Sequence, residues 1–202
     1  MRGMRGMSEL PRLLLASTDP DELADLRELL DEASVACISP SDAGVASIEP
    51  PAGGSYADRA SHRARAFAEA SGERALAICA GLDVYALDLG PGALTETFAA
   101  GQSTEARCQA LLEQLAKTPI GQRIAVGRAA AALATPGSAD VTVTTSIVEC
   151  EIPLEARGDG GYGLDAVTQL ATGQTLAELP AADRKRLGQR GKAVRSIIPK
   201  LS

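Results

Sequence analysis

Three groups of residues in this chain cluster the polar and charged side chains from which a ligand site could be built. Ser17, Thr18, Asp19 and Glu22 stand where an apolar run gives way to an amphipathic stretch. A helix beginning there would offer free N–H groups and a positive dipole end to an anion, but Asp19, Asp21 and Glu22 already neutralise it. Two unit charges about 5 Å apart interact by about 3 kcal/mol at an effective dielectric near 20, so a carboxylate at Glu22 opposes a phosphate by that order. The second group is Ser55–Ala64, with Asp58, Arg59, His62 and Arg63. Arg63 has a fork-shaped guanidinium suited to phosphate, while Asp58 fits both a helix cap and a weak metal ligand. The third lies near the C-terminus: Tyr162 and Asp165 in a glycine-rich loop, then Arg184, Gln189 and Arg190. Cys79, between Ile78 and Ala80, is a poor nucleophile, because apolar neighbours raise a thiol pKa.

The elements that position these groups are legible from periodicity. Arg12–Ser17 is a short apolar run and reads as a buried strand. Asp19-Pro20-Asp21-Glu22 reads as N-cap, first helical position and acidic first turn. Leu23, Leu26, Leu29, Leu30 and Ala33 then form one helical face, and Val35–Ile38 is the next strand. Residues 40–54 form a loop. Ser55 and Asp58 are spaced as a capping box, opening a helix that runs to Ser71 and stops at Gly72. Ala75–Cys79 and Leu82–Leu87 read as two strands around Gly81, and Thr104–Lys117 as a helix with Cys108, Leu111, Leu112 and Leu115 inward. Residues 123–134 and 140–152 read as a long hairpin through Thr135-Pro136-Gly137-Ser138, and a last helix runs from about Ala181 to Ile198. Strand–helix alternation with a long hairpin makes this an α/β protein with a mixed sheet.

Composition removes several functions. The net charge is −6 over 202 residues, the wrong sign for a surface that coats nucleic acid. No apolar run reaches the roughly 18 residues of a membrane span. The basic leader through residue 11 lacks an apolar segment, so it reads as a disordered leader ahead of one domain at 12–202, and the cytoplasm is the expected location. Cys37, Cys79, Cys108 and Cys150 are widely separated and His62 is the sole histidine, so no zinc site is expected.

The ordered set Leu14–Asp19, Ser55–Ala64, Gly81-Leu82-Asp83-Val84, Pro91-Gly92, Gly160–Asp165 and Gln189–Ala193 resembles the inosine triphosphate pyrophosphatase family, over about Leu13 to Leu201. The resemblance implies an elongated, curved mixed sheet with helices in two lobes around a cleft, usually in a homodimer. It also implies hydrolysis of non-canonical purine nucleoside triphosphates to monophosphate and pyrophosphate, with magnesium if the chain is active. Much of that chemistry is altered here. Where the family has Ser/Thr-x-Asn-x-x-Lys, this chain has Asp19 and Glu22 in place of Asn and Lys. The family's Asp-Asp-Ser-Gly, which supplies a magnesium ligand and the base, is matched by Ile78-Cys79-Ala80-Gly81. Tyr85 and Thr97 replace an acid and an arginine. The purine-recognising half is better kept: Tyr162 matches a stacking aromatic, Asp165 can accept a ring N–H, and Gln189 or Arg190 can bond a 6-oxo group. The expectation is a divergent member with lost or altered hydrolysis that retains nucleotide or nucleobase binding. The alternatives are an active pyrophosphatase with relocated ligands at Asp58, Asp83 and Asp165, and a non-enzymatic dimeric scaffold.

Overall fold

Strand β1 (Arg12–Leu15) pairs in parallel with both β2 (Ala36–Ile38) and β3 (Ala75–Val84). Antiparallel β5 (Ile124–Ala134) and β6 (Val141–Glu151) extend the sheet beyond β3, and two-residue β4 (Gly90–Pro91) adds to the end of β3. The order is β2-β1-β3-β5-β6, the mixed α/β sheet expected from the sequence. The structure, a computed structural model, describes residues 10–99 and 103–201. The expected disordered leader lies almost wholly outside the described residues.

Helices α1 (Pro20–Leu29) and α5 (Gln189–Ile197) cover one face, burying Leu26, Leu29, Val194 and Ile197 against Leu13, Leu15, Leu76 and Ile78. Helix α2 (Tyr56–Ser71) covers the other face with Ala60, Ala64, Phe67 and Ala68 on Leu14, Ala77, Cys79, Ala130 and Ala132. Helix α3 (Thr104–Gln114) stands over the far end, where Cys108 and Leu111 meet Leu82, Val84, Ile152 and Leu164. This arrangement explains why the alanine-rich β5 is a strand. Both of its faces lie under helices, so small side chains let α2 and α5 approach closely, and pairing with β-branched β6 overrides alanine's helical preference.

Local signals decide most boundaries. Asp19 caps α1 by accepting from Asp21 N–H at 2.9 Å, and Ser55 and Asp58 form the expected reciprocal box on α2. Two expected strands prove to be one. β3 runs without interruption through Gly81, which pairs with Arg128, and residues 85–87 turn as a short 3-10 helix. Gly81 is there for contact, not for a break: a Cβ on it would lie 2.3 Å from both the Gly92 carbonyl and Thr95 Oγ1. The single C-terminal helix expected is instead α4 (Ala181–Leu187) followed by α5, because Gly188 is extended (φ −71°, ψ 152°) and separates them. α3 stops at Gln114, short of Lys117, and the buried Arg123 takes the Leu115 carbonyl at 2.8 Å and the Thr118 carbonyl at 2.9 Å. A side chain thereby satisfies the chain beyond the helix end.

Candidate functional site

The site lies where the ends of β1 and β3, the starts of α1 and α5, and the 158–165 loop converge. On its first side, Ser17 Oγ donates to Glu22 Oε2 at 2.7 Å, and Glu22 is turned inward and buried. Arg63, from α2, donates to Glu22 Oε1 at 3.3 Å, to Glu96 Oε2 at 2.9 Å, and to the Ile78 carbonyl. Arg59, only 2% exposed, reaches the other oxygen of Glu96. Beyond Glu22, Arg190 of α5 lies 3.6 Å away and donates through Nε to Asp25 Oδ2 at 2.8 Å.

These contacts form one alternating line of charge: Arg59, Glu96, Arg63, Glu22, Arg190, Asp25. Three guanidiniums meet three carboxylates and none of the six is left over. Burial works against the charge on Arg63 and Arg190, but the adjoining carboxylates more than offset it and raise both pKa values. Breaking such a buried series leaves an uncompensated charge, which costs several kcal/mol. Around it lies a groove of about 190 Å3 lined by Ser17, Thr18, Asp19, Glu22, Arg63 and Glu96. The residues assigned to the phosphate side therefore do come together.

At the strand positions where the family places its acids, Ile78 is in the hydrophobic core and Ala80 is half-buried at the cleft. Cys79 donates weakly to the Ala93 carbonyl at 3.6 Å, and burial, followed by the charge of Glu96, pushes its thiol up to about 11. Asp58 is not brought to this cleft. It is exposed, and Oδ2 accepts from the N–H and hydroxyl of Ser55 at 3.0 and 2.7 Å. Asp83 accepts from the Tyr56 hydroxyl at 2.8 Å and pairs with Arg128. Asp58, Asp83 and Asp165 thus occupy three separate environments. Among the described residues no three His, Cys, Asp or Glu side chains converge to hold a metal. Magnesium takes hard oxygens in an octahedron, yet the carboxylates of Glu22 and Glu96 are bridged by the cationic Arg63. The residues present do not fit magnesium.

On the second side, Tyr162, Asp165, Gln189 and Arg190 line a narrow slot of about 40 Å3 with Ala80, Glu96 and Arg107. The Tyr162 ring stacks under the Arg190 guanidinium, 4.8 Å from the centroid, and its hydroxyl donates to Asp19 Oδ2 at 3.0 Å. Burial and Asp19's charge are among the influences that raise the phenol's pKa. Asp165, 5% exposed, accepts from Tyr162 N–H at 3.2 Å. Burial first, and then Asp25, push it up to about 7 against the pull of Tyr162 N–H, Arg190 and Arg184. Gly161 permits this fold-back, with φ 77° and Asp165 Oδ2 only 2.2 Å from where a Cβ would sit. Gln189 Oε1 is buried with no partner among the described residues. Arg184 does not join the slot. It donates to the Leu179 carbonyl at 3.0 Å and to Glu28 at 2.7 Å, holding α4 against α1.

Sequence reasoning missed Glu96, Asp25 and Arg107. Glu96 lies in the 92–99 turns, where no periodicity marks a face. Arg107 could have been found: it precedes Cys108 and lies four residues before Leu111, at the edge of the inward stripe of α3.

Comparison with known proteins agrees with this architecture. The Ham1 family model matches residues 13–200. A dITP/XTP pyrophosphatase of Mycolicibacterium paratuberculosis is 34% identical over 195 residues, covering 94% of this chain and 95% of the relative. One from Paracidovorax citrulli is 31% identical, with 93% and 96% covered. A solved HAM1 protein from Coxiella burnetii superimposes with a TM-score of 0.79 at 29% identity, covering 95% of this chain and 98% of that one.

Proposed function

The chain belongs to the Ham1 family, and on that premise we propose that it binds a purine nucleoside or mononucleotide and does not carry out metal-dependent triphosphate hydrolysis. The observation that carries this reading is the closed line Arg59–Glu96–Arg63–Glu22–Arg190–Asp25. Relatives bearing the name dITP/XTP pyrophosphatase supply the purine class. Here the guanidiniums that would meet a triphosphate are already neutralised. Asp19 and Glu22 line the groove that its outer phosphates would enter.

The base side supports retained binding. Tyr162 offers an aromatic face, Gln189 an acceptor without a partner among the described residues, and Asp165 a carboxyl that is partly protonated near neutral pH. The slot holds only about two or three waters, well below the few hundred Å3 of a small-ligand site. In this reading a purine comes in from the cavity of about 800 Å3 that Tyr162 and Asp165 also line, and enters the slot as Tyr162 releases Asp19 and swings out. In the same reading the protein works in the cytoplasm as a homodimer, both on the strength of the family resemblance.

Titration calorimetry with inosine and xanthosine, each without metal, tests the binding. The reading predicts a saturable heat with one of them, weakened by Gln189→Ala. The absence of any heat and of any thermal stabilisation by either nucleoside would leave a scaffold as the better account.

A further inference from the structure

Five buried side-chain atoms lack a hydrogen-bond partner among the described residues, and they differ in kind. Three are single nitrogens of Arg59, Arg157 and Arg190, whose guanidiniums are already ion-paired. The fourth is Gln189 Oε1. The fifth, Arg107 Nε, belongs to a guanidinium that makes no hydrogen bond or ion pair with any described residue. Arg107 reaches from α3 to line both the 40 Å3 slot and the 190 Å3 groove, on either side of Tyr162. A buried guanidinium nitrogen without an acceptor is costly unless something supplies one.

We infer that Arg107 is the anion anchor of the cleft, and that it selects a ligand carrying one phosphate group, a nucleoside monophosphate, over the triphosphate. This deepens the purine-binding reading and rests on it. The selectivity follows from counting charges. The three other cleft guanidiniums are matched one for one by Glu96, Glu22 and Asp25, so among the described residues Arg107 is the one cleft guanidinium without a carboxylate and able to take an oxyanion. One phosphate beside Arg107 gains a charge-assisted, fork-shaped contact. Further phosphates extend along a groove walled by Asp19 and Glu22 and meet repulsion without a new cation.

Removing Arg107 breaks no bond within the described protein, so substitution leaves the fold in place. The test pairs two measurements on the full chain. In the first, arginine side-chain Nε–H signals are followed by NMR as inorganic phosphate replaces chloride at constant ionic strength. The signal missing from Arg107→Lys should shift with phosphate, and no shift would overturn the assignment. In the second, calorimetry compares inosine, inosine monophosphate and inosine triphosphate. The monophosphate should bind about tenfold tighter than inosine in the native protein, and Arg107→Ala should erase the difference. The triphosphate should gain nothing over the monophosphate. A triphosphate preference, or a monophosphate preference surviving in Arg107→Ala, would overturn the inference. If no inosine compound binds while the phosphate shift persists, the purine reading fails and the anion anchor stands.

Discussion

The two halves of the cleft use the same residue types to opposite ends. On the first side arginines and carboxylates answer one another, and the line from Arg59 to Asp25 closes with no charge to spare. On the second side Arg107 and Gln189 line the same slot, and Arg107 Nε and Gln189 Oε1 each lack a partner among the described residues. A buried polar group that is satisfied by its neighbours is structure, and one left bare is an invitation to a ligand. In the proposed reading, this contrast makes the first half scaffold and the second half the one fitted for recognition.

The comparison can be broken most forcefully at Arg190, which joins both halves. Arg190→Met strands Asp25 and half of Glu22 in a buried place and should cost about 3–5 kcal/mol. In a protein of this length that lowers the melting temperature by roughly 10 °C, read by calorimetry. Adding Asp25→Leu should return part of the loss, because the stranded charge disappears. If the double variant is no better than the single one, the pair was not carrying the cost.

Asp165 sharpens the contrast through pH. Its folded pKa, raised to about 7 from an ordinary value of 3.8, means that the folded protein holds the proton more tightly than the unfolded chain. That stability is fully present below about 4 and drains away as pH rises through 7. Asp165→Asn keeps an acceptor for Tyr162 N–H and carries no charge. It should therefore melt higher than the native protein at pH 8, by an amount on the order of a few kcal/mol, and show little advantage at pH 4. Equal differences at the two pH values would contradict the assignment.

Smaller effects follow at Tyr162 and the thiols. Tyr162→Phe removes the bond to Asp19 and should cost about 1 kcal/mol of stability. It should also speed inosine binding, measured by stopped flow, because the ring opens without breaking that bond. The thiols of Cys79, Cys108 and Cys150 are buried and pushed up to about 11, about 12 and about 11, each mainly by burial. Cys37 is only half-buried, so iodoacetamide at pH 7.5 should label it first. Mass spectrometry should find the other three protected until the protein unfolds.

How much of this was legible in the sequence depended on range. Asp19 and Ser55 announce helix starts within four residues, and both caps form as their spacing implies. The alternation of β6 fixed the neighbouring β5 as strand despite its alanines. Gly81 and Gly188 misled in opposite directions because each answers to a tertiary contact: a loop pressed onto Gly81, and an extended Gly188 where two helices meet. In the site, Glu22 and Arg63 were recognisable singly, but nothing local says that Glu96 bonds Arg63 from 33 residues away. Nor does any local pattern reveal that Asp58 stays at its cap and Arg184 on α1. The pairing of charges is a property of the fold, and that pairing carries the functional conclusion.

The most direct test of the claim that the first half has become scaffold is pyrophosphate release from inosine triphosphate with saturating magnesium. The account predicts no release above a protein-free control, in the native chain and in Glu22→Gln alike. Steady turnover by the native protein that Glu22→Gln or Glu96→Gln abolishes would contradict it, because those carboxylates would then be serving a reaction instead of closing a line of arginines.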